Sequence, residues 1–178
     1  MKAPFTLLVL LAPFASHAAD ASRAQTLVRA MRSDEIAVAS AKHAFLTGAV
    51  EEKYGKANAS CVRKVPFADF TAGSARVVES VLKPQEVDSA LTFFQSPAGA
   101  KYVEGLIRRL RARQGDDSAL PKVEGKEEFT PEQMAAIAEF SRSDLGHKVM
   151  GKDMTESPAA LALGRDILAA IASKCGSK

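Results

Sequence analysis

The sequence predicts an all-α protein, a bundle of short helices containing two helix-corner-helix units. Three observations predict it. Apolar residues recur at helical spacing along most of the chain, and no convincing strand alternation appears. Helix-starting pairs recur at Ser96-Pro97, Thr130-Pro131, Ser143-Asp144 and Ser157-Pro158. Sliding the chain against itself by 47 residues lays Pro84, Phe93, Ser96, Gly99 and Lys101 on Pro131, Phe140, Ser143, Gly146 and Lys148. Composition agrees with a globular class: 47% hydrophobic and 25% charged residues over 178 positions exclude a disordered tail, a collagen-like fibre and a multi-pass membrane protein. The net charge of +3 is too small for a nucleic-acid footprint, so no nucleic-acid partner is expected.

The chain opens with the layout of a cleavable secretory signal at residues 1–18: Lys2, the short apolar run Phe5 to Phe14, and the small residues around Ser16-His17-Ala18. Cleavage is expected after Ala18, giving a periplasmic protein whose mature chain, 19–178, is a single all-α domain. An apolar run of about ten residues is too short to cross a bilayer that needs roughly 20. Later apolar stretches are interrupted by charges, so the mature chain is expected to have no transmembrane segment.

Downstream, Ala24, Leu27, Val28 and Met31 mark one helical stripe and Val38, Ala41, Phe45 and Ala49 a second, weaker because alanine buries little area. Gly55 to Lys64 breaks the pattern, and its polar part up to Ser60 reads as loop. Phe67, Phe70, Ser74, Val77, Val78, Val81 and Leu82 then share one helical face, with Pro66 placed as the first helical residue. The two units follow at about 82–113 and 129–154. In the first, a short helix carrying Val87, Ala90, Leu91 and Phe94 ends at a corner capped by Ser96, and a second helix buries Tyr102, Val103, Leu106, Ile107 and Leu110. In the second, Thr130-Pro131-Glu132-Gln133 is a capping box, and the helix it starts carries Met134, Ile137 and Ala138 on one face. Gly99 and Gly146 fall in the first turn after each corner, where glycine costs up to about 1 kcal/mol against alanine. The same cost at the same place twice predicts a backbone or aromatic passing too close to admit a side chain. Gln114 to Glu128 reads as an exposed linker, and a last helix runs from Ser157-Pro158 to about Lys174 with Leu161, Gly164, Leu168, Ile171 and Cys175 as its stripe.

Cys61 and Cys175 are the only cysteines, and an even pair in an exported chain reads first as a disulfide. The alternative is two independent small hydrophobes. A redox role is weaker still without a Cys-x-x-Cys motif.

The first unit, Leu82-Lys83-Pro84-Gln85-Glu86 leading to Phe93-Phe94-Gln95-Ser96-Pro97-Ala98-Gly99-Ala100-Lys101, resembles the signature of a bacterial envelope family known as domain of unknown function 2059. The second unit departs from that signature, with Ser141 at the second aromatic position and Asp144 in place of proline. The resemblance implies a Gram-negative periplasmic setting and a helical fold, and it brings no active site.

Residues that carry chemistry are sparse. Neither His43 nor His147 has a second ligand at helical metal-site spacing, and Gly-x-Ser-x-Gly, Walker and His-Glu-x-x-His motifs are absent. The carboxylate pairs Glu51-Glu52, Asp116-Asp117 and Glu127-Glu128 are sequence neighbours, which point apart on a helix. Asn58-Ala59-Ser60 is a glycosylation sequon only in a eukaryotic secretory route. No cofactor, metal or catalytic residue is therefore named. Arg108, Arg109, Arg111 and Arg113 offer a weak contact to an anionic surface, set against their ordinary role of complementing a helix C-terminus. These features predict a non-catalytic binding or protein-interaction module of the cell envelope, its partner an envelope protein or ligand. The rival is an envelope hydrolase or small-ligand carrier whose site forms between helices.

Overall fold

The computed structural model describes residues 14–67, 70–113 and 129–176. The start of the expected leader and the linker Gln114–Glu128 lie outside the described residues. Helix α1 (Phe14–Met31) passes into α2 (Ser33–Leu46) through Arg32, which takes a left-handed conformation (φ 51°, ψ 37°). Short helices α3 (Glu51–Tyr54) and α4 (Ala59–Lys64) lead to α5 (Thr71–Val81). The corner units are α6 (Pro84–Phe94) with α7 (Pro97–Ala112), and α8 (Pro131–Arg142) with α9 (Asp144–Met150). A short α10 (Lys152–Glu156) precedes the long α11 (Pro158–Cys175). The described residues form no strand, only an isolated bridge between Ala57 and Gly176. The fold is an all-α bundle, and none of the described helices is long and apolar enough to cross a membrane.

Two apolar clusters hold the bundle. The first gathers Leu27 and Val28 of α1, Val78 of α5, Val87 and Phe94 of α6, Val103 and Ile107 of α7, and Val149 of α9. The second joins Val38 of α2 and Val62 of α4 to Ile167 and Ile171 of α11, with Val65 between α4 and α5. Among the described side chains of α1, Ala24, Leu27, Val28 and Met31 enter the first cluster.

The structure differs from the sequence expectations at five places. Residues Ala59 to Lys64, expected to interrupt the helical pattern, form α4, whose start is capped by Asn58 accepting from the Cys61 amide at 3.0 Å. Pro66 does not start a helix. Val65 before it is extended and buried with Phe67 in the second cluster, so α5 begins only at Thr71. Ala49 is exposed beyond the end of α2. Leu161 is 56% exposed because, at about 100° per residue, it points about 80° away from Ile171 and about 120° away from Ile167, which with Cys175 set the buried face of α11. Met134 is 60% exposed although its counterpart Val87 is buried. Helix α6 lies under α1, whereas α8 packs mainly on α7 and α9.

Candidate functional site

The two corners are built from the same bonds. Ser96 and Ser143, both extended, accept from the amides of Gly99 (3.2 Å) and Gly146 (2.9 Å) and donate their hydroxyls to the carbonyls of Phe93 (2.6 Å) and Phe140 (2.7 Å). The glycines answer to close backbone approach. A Cβ on Gly99 would lie 2.1 Å from the Phe93 carbonyl oxygen, and one on Gly146 would lie 1.8 Å from that of Phe140. Pro84 and Pro131 each open the first helix of a unit. The units also face one another. Phe93 and Phe140 stack with ring centroids 3.8 Å apart and planes 2° from parallel. Lys148 donates to Glu86 at 2.5 Å, while Lys101 stands 5.3 Å over the ring of Phe129 at the start of the other unit. The Lys148 ammonium, and next the Lys83 amide, hold the Glu86 carboxyl below its ordinary 4.5, and the same bond raises Lys148 above 10.5.

Cys61 and Cys175 form a disulfide, their Cα atoms 5.5 Å apart across 114 residues of sequence. It fastens α4 to the end of α11, beside the amide of Asn58 donating to the Cys175 carbonyl at 2.8 Å. In the chain-entropy account a loop of this length is worth about 4–5 kcal/mol.

The four arginines separate in space. Arg111 is drawn to the buried carboxylate of Glu35 at 2.5 Å, where Arg32 also binds, while Arg109 and Arg113 stay exposed. That carboxylate lies in a polar recess of about 400 Å³ with Lys42, which donates to the Arg63 carbonyl at 3.0 Å and covers the Phe67 ring. Glu35 is thus satisfied by protein groups, which joins α2 to α7 structurally.

The larger opening lies between the two apolar clusters. It is a cleft of about 530 Å³, within the range of small-molecule sites. One wall is the face of α2 running from Ser33 through Ala37 and Ala41 to Ala44, and the facing wall is α11 from Ala160 through Gly164 to Leu168. Ser74, Val77 and Val78 of α5 and Tyr102 and Leu106 of α7 close its floor, with Met150 of α9 and Met154 of α10 at one side. Small residues on α2 and α11 leave space between the walls. Gly164 stands in the interior of an 18-residue helix, where glycine costs about 1 kcal/mol against alanine, yet a Cβ placed there meets nothing within 4 Å. Unlike Gly99 and Gly146, it is not required by close packing.

Among the described residues, no Asp, Glu, His, Lys or Arg lines this cleft. Its polar groups are hydroxyls, and those of Ser33 and Ser74 are buried without a hydrogen-bond partner. His43 and His147 lie outside the lining, and among the described residues no three His, Cys, Asp or Glu side chains gather as a metal site would need. The sequence reading reached several of these positions for other reasons, taking the Val38–Ala41 stripe as a weak core face and Gly164 as part of a buried one. The alanines and the helix-interior glycine were the available signal. Fold and site together define an all-α bundle with an uncharged interhelical cleft. Comparison with family models, curated proteins and solved structures finds no match to this chain.

Proposed function

We propose that the chain is a non-catalytic binding module of the cell envelope, and that the cleft between α2 and α11 is where it holds a small apolar ligand. The observation that carries this reading is the lining itself: apolar walls with a few hydroxyls and, among the described residues, no charged side chain. The exported setting is supported by the leader pattern of residues 1–18, by the disulfide, and by the resemblance of 82–101 to the envelope family. The paired corner units serve as scaffold, setting the positions of α7 at the floor and α9 at the side of the cleft.

The test is binding of the uncharged dye N-phenyl-1-naphthylamine to the purified, disulfide-bonded chain, beside an assay for hydrolysis of short nitrophenyl esters. Saturable dye fluorescence with no ester turnover is expected. Turnover that scales with protein concentration, or a folded chain that leaves the dye dark, overturns the reading. N-terminal sequencing of the periplasmic form is expected to begin at Ala19, and an intact Met1 there would refute export by cleavage.

A further inference from the structure

From the chemistry of the lining we infer that the ligand is an uncharged single-chain amphiphile, a hydrocarbon chain bearing a hydroxyl group; this rests on the binding reading above. Length comes from the walls. Ser33 to Ala44 spans twelve residues of helix, about 16 Å along the axis, so the cleft is elongated along α2 and suits an extended chain better than a compact ring system. Neutrality comes from the lining, where no described residue is a cation or anion: a carboxylate or ammonium brought in would find no counter-charge among them. The polar group comes from Ser33 and Ser74. Ser74 is 3% exposed, and the hydroxyl oxygen of each serine lacks a protein partner, so a ligand that both donates and accepts supplies what the fold leaves out. Met150 and Met154, flexible and polarizable, let the side of the cleft adapt to chains of different length.

Three probes of equal chain length separate the possibilities: dodecan-1-ol, dodecanoate and dodecyltrimethylammonium, each titrated against bound N-phenyl-1-naphthylamine below its micelle concentration. The alcohol is expected to displace the dye at concentrations at least tenfold lower than either ion. Gly164→Leu, which adds a side chain where space is open, is expected to abolish dye binding with helical circular dichroism intact. Ala44→Phe does the same from the opposite wall. The double variant Ser33→Ala/Ser74→Ala is expected to weaken the alcohol five- to tenfold and leave the dye unchanged. If dodecanoate matches the alcohol, or the serine variant binds both equally well, the ligand class is wrong while the binding reading stands. If the folded wild-type chain takes neither dye nor alcohol, the binding reading falls. Dye binding that survives both folded wall variants places the site elsewhere and overturns the inference.

Discussion

Phe93 and Phe140, 47 residues apart in sequence, lie face to face with their ring centroids 3.8 Å apart, each at the last turn of the first helix of its unit. Each ring follows from a corner that is capped in the same way, so the stack is where the two units meet. Phe94 adds edge contacts to both rings, at 5.0 Å and 5.5 Å.

This stack predicts energetic coupling. Phe140→Leu and Phe93→Leu are each expected to lower unfolding free energy by about 1–2 kcal/mol, with a coupling of about 0.5–1.5 kcal/mol in the double-mutant cycle measured by urea unfolding. Strict additivity would show that the rings do not stabilise one another.

The glycines divide by sign. Gly99→Ala and Gly146→Ala push a methyl into a carbonyl oxygen and are expected to destabilise by about 2–3 kcal/mol. Gly105→Ala in α7 and Gly164→Ala in α11 meet open space inside helices and are expected to stabilise by up to about 1 kcal/mol. Thermal melts of the four variants read the contrast directly, and a stabilised Gly146→Ala would contradict the corner geometry.

The Glu86–Lys148 bridge fixes a pH window. Glu86 is lowered in the folded state, so its contribution is full above 4.5 and is lost as pH falls through the depressed value. Lys148 is raised, so its contribution is full below 10.5 and is lost as pH climbs through the elevated value. The stability gap between wild type and Lys148→Met is therefore expected to be flat between those limits and to shrink outside them. A gap that persists undiminished in strong acid would assign the loss to packing of the lysine stem instead.

Cys175→Ser, compared with the oxidised wild type, is expected to cost about 4 kcal/mol, chiefly through a freer unfolded chain. Reducing agent should bring the wild type down to the level of Cys61→Ser. A wild type whose melting temperature ignores reductant would mean that the bond contributes nothing.

Helical class, the capped corners and the two cysteines could be read from sequence because each depends on neighbours a few residues apart or on simple counting. Ser96 and Ser143 cap amides three positions on, a local bond that sequence spacing already contains. Helix α4 was missed although its signal was equally local: Asn58 precedes it as a cap, in a stretch whose polarity suggested loop. Met134 shows the opposite limit. Its helical face is apolar by pattern, but among the described helices α8 packs mainly on α7 and α9, where α6 packs under α1.

Sequence by itself determined that this chain is helical, that it turns sharply at Ser96 and Ser143, and that Gly99 and Gly146 admit no side chain. The cleft was decided by tertiary structure alone. Ala37, Ala41, Ala44 and Gly164 look like weak core in any linear pattern, because whether small residues pack tightly or stand apart depends on which helix faces them and how far the larger side chains around them hold the two walls open.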